Sequence, residues 1–218
     1  LITVVDAEAP VLSCPPDVAV NNDPDACDAF VSISSTLLSD NCMGIASVTN
    51  NFTGTADATA TYPIGLTRVI WTATDLAGNQ SVCTQLVEVA DVQPPAVACP
   101  PDVTIECDAS TNVVDTGMAT ATDNCTNVVV TFSDAVTDGN CPAERMIVRT
   151  WTVVDGATNM AACVQVITVE DTTAPTITCP GDISVLNDIG VDGAVVTFAV
   201  PSSDNCDANP QVVCTPVS

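Results

Sequence analysis

The sequence predicts an all-β protein built as a tandem array of sandwich domains, and three observations carry that reading. The chain copies itself: Cys14-Pro15-Pro16-Asp17-Val18 returns as Cys99-Pro100-Pro101-Asp102-Val103 and as Cys179-Pro180-Gly181-Asp182-Ile183, a period of about 80–85 residues that suits one small domain. Hydrophobic residues make up 47% of the chain but aromatics only 3%. Val, Ile and Thr interspersed with Pro and Asp favour half-buried strands and turns over long helices. Finally, there are twelve cysteines and no histidine. With no Cys-x-x-Cys pair to suggest zinc, the cysteines point to disulfides and an oxidising compartment.

The remaining landmarks keep the same register. Ser39-Asp40-Asn41-Cys42 recurs as Thr122-Asp123-Asn124-Cys125 and Ser203-Asp204-Asn205-Cys206. Trp71-Thr72-Ala73-Thr74-Asp75 recurs as Trp151-Thr152-Val153-Val154-Asp155, and Asn79 and Cys83 recur as Asn159 and Cys163. A strand end, a short acidic linker and a proline mark each boundary, at Asp6 to Pro10, Asp91 to Pro95 and Asp171 to Pro175. The first repeat therefore spans residues 7–90 and the second 91–170. Residues 171–218 are the N-terminal part of a third, and residues 1–6 are expected to be the last strand of a preceding repeat. An alternative is strand exchange, with Leu1 to Val5 of one chain completing the third repeat of another.

Within repeat 1, Val11 to Val20, Ala29 to Ser35, Ile45 to Asn51, Ala58 to Pro63, Thr67 to Thr74 and Val82 to Val89 read as strands. Turn residues at Asn21 to Pro24, Ser39 to Asn41, Ile64-Gly65 and Ala77 to Asn79 separate them. Six or seven strands in about 80 residues predict a Greek-key β-sandwich of immunoglobulin or fibronectin-III type, repeated in an elongated array. Trp71 and Trp151, with alternating apolar neighbours, are core fillers.

A Cys-Pro-x-Asp-Val/Ile start, a central Asp-Asn-Cys, then Thr72-Ala73-Thr74-Asp75-Leu76-Ala77-Gly78-Asn79 and a closing Cys83 resemble the hyalin repeat. Repeat 1 fits throughout. Repeat 2 departs at Asp155-Gly156-Ala157-Thr158-Asn159, and repeat 3 fits only in its first half. The resemblance implies an immunoglobulin-like fold and an extracellular setting, such as matrix hyalin or the very long surface adhesins of Bacteroidota. The Lys-free acidic composition is closer to the bacterial members.

In such a sandwich the first and last strands run side by side, which pairs Cys14 with Cys83 and Cys99 with Cys163, in agreement with the resemblance. Each bond closes a loop of about 65–70 residues, worth roughly 2–4 kcal/mol. Only Cys27 then remains for Cys42 inside repeat 1. Cys125 has Cys141 or Cys107 as partner, and Cys206 has Cys214 or a further cysteine expected downstream of this sequence. Repeat 2 holds an odd number, and Cys107 is expected to be unpaired, either a buried thiol or a cross-link between chains.

Twenty-seven acids face three bases, giving a net charge of −24. That balance excludes nucleic acid and anionic membrane surfaces as partners, since both need cations to neutralise phosphate. No apolar run approaches the length of about 18 residues needed to insert into a membrane. Asp6, Glu8, Asp75, Asp91, Asp155, Glu170 and Asp171 gather near the repeat junctions and are candidate calcium ligands, although no EF-hand spacing is present. No other cofactor is indicated. There is no histidine or lysine for base or Schiff-base chemistry and no phosphate-binding glycine loop, so no catalytic residue is assigned.

The expected function is a non-catalytic stalk or filament segment of a large secreted cell-surface adhesin. Its partners would be neighbouring repeats of the same longer chain, with self-assembly into filaments. The alternative is a module that itself binds a surface glycan or matrix protein.

Overall fold

The computed structural model describes residues 1–33, 37–42, 44–139 and 143–214. Contacts divide it into two compact units. The first comprises Leu1–Ala96, Thr122–Val129 and Val154–Ala161, and the second Val97–Ala121, Val130–Val153 and Ala162–Ser218.

Repeat 1 lies within the first unit. Its strands are β1 (Val11–Ser13), β2 (Val18–Asn21), β3 (Asp28–Val31), β4 (Leu37–Ser39), β5 (Ile45–Asn50), β6 (Ala60–Pro63), β7 (Gly65–Asp75) and β8 (Gln80–Ala90). A four-stranded sheet in the order β2-β8-β7-β5 faces the pairs β3-β6 and β1-β4. β7 and β8 form the long antiparallel ribbon, in register from Gly65↔Val89 to Thr74↔Gln80. β2 runs parallel to β8, with Val18 opposite Val87. Alternation along β7 buries Val69, Trp71 and Ala73, and Val69 and Trp71 join Ala29 and Val31 of β3 and Tyr62 of β6 in the layer between the sheets. The expected strand Val11 to Val20 is divided at Pro15-Pro16, whose rings supply no N–H to a ladder. Just before that break, the Cys14–Cys83 disulfide ties the chain to β8, with a Cα–Cα distance of 5.8 Å.

The core carries a polar bridge. Trp71 Nε1 donates to Gln85 Oε1 at 3.2 Å, and Gln85 Nε2 donates to the Pro16 carbonyl at 2.7 Å. Tyr62 places its ring against Phe52, centroids 4.3 Å apart, and donates its hydroxyl to the Ala58 carbonyl at 2.7 Å.

Repeat 2 contributes β9 (Ala96–Ala98), β10 (Val103–Glu106), the short helix α1 (Val113–Thr116), β11 (Thr120–Thr122), β12 (Val129–Asp138), β13 (Arg145–Val154) and β14 (Met160–Glu170). The sheet order β10-β14-β13-β12, with β11-β9 apart, repeats the plan of repeat 1. β10 again runs parallel to β14, with Val103 opposite Ile167, and Cys99–Cys163 closes the same corner. α1 is a helical turn the sequence reading did not anticipate. It frames Arg149, which is 2% exposed. The guanidinium donates to both Asp134 oxygens at 2.8 Å, to Thr116 Oγ1 at 2.9 Å and to the Thr111 carbonyl at 2.9 Å. It also lies 4.7 Å from the centre of the Phe132 ring.

Two segments carry little regular structure. Leu1 to Val5 is exposed and lies outside any strand. Residues 171–214 contain only the two-residue strands β15 (Thr176–Ile177) and β16 (Ser202–Ser203). That segment has no counterpart of the β7–β8 ribbon to pack on, so Leu186, Val195 and Phe198 stay exposed.

Candidate functional site

The acidic residues converge through two kinds of turn. At the tip of the β7–β8 ribbon, Asp75 N–H donates to the Asn79 carbonyl, and Asn79 donates its N–H and side-chain amide to the two Asp75 oxygens, each at 2.8 Å. The same amide reaches back 3.4 Å to the Asp6 carbonyl, pinning the preceding linker. Repeat 2 copies this arrangement. Asn159 holds Asp155 at 2.8 Å through both groups and the Asp91 carbonyl at 3.2 Å. Gly78 has φ +95° in this turn, and its counterpart Thr158 has φ +75°, a conformation costly for a β-branched residue. Burial pushes the Asp75 carboxyl up, but the hydrogen bonds from Asn79 outweigh it and hold the group below the usual range.

The second turn is Asp-Asn-Cys. Asp40 Oδ1 accepts from Cys42 N–H at 3.1 Å. Asp123 Oδ1 accepts from Cys125 and Thr126 N–H groups at 2.9 Å each, and Asp204 Oδ1 from Cys206 and Asp207 at 2.8 Å each. At Asp123 burial acts to raise the pKa, but the donated N–H groups prevail and lower it. At Asp204 the N–H groups of Asp207 and Cys206 lower it.

One oxygen from each of Asp6, Asp40 and Asp75 falls within 4.8 Å of the others. Asp91 and Asp123 converge likewise beside Cys125, as do Asp171 and Asp204 beside Cys206. The Oδ2 atoms of Asp6, Asp91, Asp123 and Asp204 are buried without a hydrogen-bond partner, and Asp91 as a whole is only 8% exposed. Crowded carboxylates with unpartnered buried oxygens are what a hard cation satisfies, whereas a thiol sulfur does not suit calcium.

The structure thus brings Asp6 together with Asp75, and places Asp91 and Asp171 at equivalent points. Asp155 joins no such cluster among the described residues, although Asn159 holds its two oxygens as Asn79 holds those of Asp75. Glu8 is exposed and accepts from Asn41. Glu170 lies apart, in an open cleft of about 370 Å3 with Asp138, Glu144 and Arg145. Asp40, Asp123 and Asp204 were missed by the sequence reading, although their motif recurs three times.

The first linker is held on both sides. Val92 N–H donates to Asn22 Oδ1 at 3.2 Å. Gln93 and Asp25 exchange two hydrogen bonds of 2.8 Å, and Asn124 Nδ2 donates to the Ala26 carbonyl at 2.8 Å.

The cysteines depart from the expected pairing. Cys107, read as unpaired, is bonded to Cys206 across a Cα–Cα distance of 5.8 Å. The odd count within repeat 2 is resolved outside it. Cys27 does not pair with Cys42. Ile64 N–H donates to the Cys27 carbonyl, at the start of β7, while Leu76 N–H donates to Gly44, beside Cys42 and beyond the end of β7. The eleven residues of β7 separate the two by roughly 33 Å at the usual rise per residue, far beyond disulfide reach. Cys42 is exposed, its thiol pushed up by Asp6, burial and Asp40. Cys141 lies outside the described residues.

Residues 5–89 match the family profile of the HYR domain. This segment is a hyalin repeat. Hyalin of Strongylocentrotus purpuratus is 28% identical over 214 residues, 93% of this chain and 17% of that protein. The Sushi, von Willebrand factor type A, EGF and pentraxin domain-containing protein 1 of Rattus norvegicus is 34% identical over 92 residues, 42% of this chain and 2% of that protein. The chain therefore spans a small part of these relatives. Among solved structures, the protocadherin GammaB4 extracellular domain aligns over 82% of this chain and 35% of its own, with a TM-score of 0.41 and 17% identity. Hyalin repeats belong to adhesion-type extracellular modules, and no described helix is long and apolar enough to cross a membrane.

Proposed function

We propose that this chain is a non-catalytic stalk segment of a secreted, adhesin-type surface protein, in which successive hyalin repeats are fixed to one another at their linkers. The observation that carries the reading is the first linker. Asp91, Val92 and Gln93 are each hydrogen-bonded to a turn of repeat 1 or repeat 2, so the connection resists swivelling as a free linker would not. The high negative charge suits a solvated surface structure of the bacterial kind that the composition resembles. The test is to immobilise the chain and present glycans and matrix proteins. A stalk segment gives no saturable binding, and a saturable ligand makes the repeats themselves the adhesive module.

A second element of the reading is calcium at the junctions. The unpartnered Oδ2 atoms of Asp6, Asp91, Asp123 and Asp204 favour it. The main-chain and side-chain partners already fixed on the opposite oxygens leave those atoms as the ligating edge. Isothermal titration with calcium chloride gives saturable heats if the clusters bind the ion, and none if they do not.

A further inference from the structure

The Asp-Asn-Cys loop of one repeat meets the repeat before it in the same way twice. In repeat 3, Cys206 is bonded to Cys107, which follows strand β10 of repeat 2, and 99 residues separate the pair. Asn205 Nδ2 points at Cys107 Sγ from 3.9 Å, and Cys206 Sγ lies 3.9 Å from an oxygen of Glu106. In repeat 2, Asn124 Nδ2 donates to the Ala26 carbonyl at 2.8 Å, and Cys125 Sγ lies 3.6 Å from that same oxygen. Ala26 precedes Cys27 as Glu106 precedes Cys107. Cys27 and Cys125 stand almost the same distance apart in sequence as the bonded pair. Each loop therefore sets its cysteine against the residue before a cysteine of the preceding repeat, with its asparagine on that same residue in repeat 2 and on the cysteine itself in repeat 3.

From this correspondence we infer that Cys27 and Cys125 form a disulfide joining repeat 1 to repeat 2, so that a covalent staple recurs at consecutive junctions. Among the described cysteines, Cys27 has no competing partner in its own repeat. Cys14 and Cys83 are bonded to each other, and Cys42 is at the far end of β7. The thiols of Cys27 and Cys125 lie close enough to interact. Oxidation needs an acceptor, which an exported protein meets as a disulfide-donating oxidoreductase or a small-molecule disulfide. One protein thiolate displaces a donor thiol to form a mixed disulfide. The second displaces the other donor thiol, closing Cys27–Cys125 and leaving both protons on the released thiols.

The bond changes what the linker must bear. Tension or a cut within residues 91–95 would no longer separate the repeats, since the staple bypasses them.

The test uses the whole chain, folded with oxidised glutathione and blocked with N-ethylmaleimide. Pepsin digestion at acid pH suppresses exchange because thiolates are scarce there. In molecules whose Cys14–Cys83 bond has formed, mass spectrometry of the unreduced digest should recover Cys27 mainly in a peptide joined to Cys125. Recovery of either cysteine mainly alkylated, or mainly joined to any other cysteine such as Cys42 or Cys141, overturns the inference.

Discussion

Calcium at the junction clusters makes a measurable thermal prediction. The perturbation is about 10 mM calcium against excess chelator, at matched ionic strength in potassium chloride so that general screening of the −24 charge is equal in both arms. Extracellular calcium modules bind with dissociation constants of about 10⁻⁴–10⁻³ M. At that concentration one site in the folded state contributes about 1.4–2.7 kcal/mol by linkage. For a domain of this size each kcal/mol moves the melting point by about 4–8 °C, so the shift is about 6–20 °C. Scanning calorimetry reads it directly. Asp91→Asn separates the sites. Asparagine keeps the oxygen that accepts from Gln93 N–H at 3.2 Å but removes one of two converging charges. The variant should lose the calcium increment of the Asp91–Asp123 cluster and keep that of Asp6, Asp40 and Asp75. In chelator it should melt no lower than wild type, because a like-charge contact is gone. Superimposable wild-type curves in calcium and chelator refute the reasoning.

Three further outcomes follow from the packing. Gln85→Met keeps volume but strands Trp71 Nε1 in the core, at about 1–3 kcal/mol. Urea unfolding followed by tryptophan fluorescence should show a loss of about 1–3 kcal/mol, and an unchanged stability would contradict the bridge. Thr158→Gly relieves a β-branched residue at φ +75° and should stabilise repeat 2 by roughly 0.5–1 kcal/mol. Repeat 1, with Gly78 already in place, is the natural comparison, and an unchanged urea midpoint would count against strain at Thr158. Arg149→Met leaves Asp134 without its cation and should cost about 3 kcal/mol in the same titration. Adding Asp134→Leu should recover part of that loss, and no recovery would argue against a pairing origin.

Much of the fold was legible because its signals are local. Alternation around Trp71 and Trp151 located the central ribbons, and Pro15-Pro16 accounts for where the first strand breaks. Arg149 was not legible as a core residue. An arginine inside alternating strand residues reads as surface until Asp134, Thr116 and Thr111 are seen around it, and none of them is near it in sequence. The acidic site was half visible. The linker aspartates and Asp75 stood out at the boundaries, while Asp40, Asp123 and Asp204 were hidden beside conspicuous cysteines. Their role depends on the turn N–H groups fixing Oδ1 so that Oδ2 faces the linker, which spacing cannot express. Cys107 was misread for a related reason. Cysteines were counted within each repeat, whereas the structure closes the bond across a boundary.

The Asp-Asn-Cys loop thus does two things from adjacent positions. Its aspartate faces the carboxylate of the linker in front of it, and its cysteine faces the turn of the repeat before that linker. Without a cation, Asp91 and Asp123 set two carboxylates against each other, while Asn124 and Cys125, which follow Asp123, hold the same loop down on Ala26. The opposing influences act on one rigid turn, whose backbone N–H groups are committed to Asp123. The loop therefore answers as a unit, and what binds its aspartate bears on how its cysteine sits. A chain with so many acids and so few bases has few ion pairs with which to fix its junctions. Side-chain amides supply fixing contacts at the first linker, from Gln93 to Asp25 and from Asn124 to the Ala26 carbonyl.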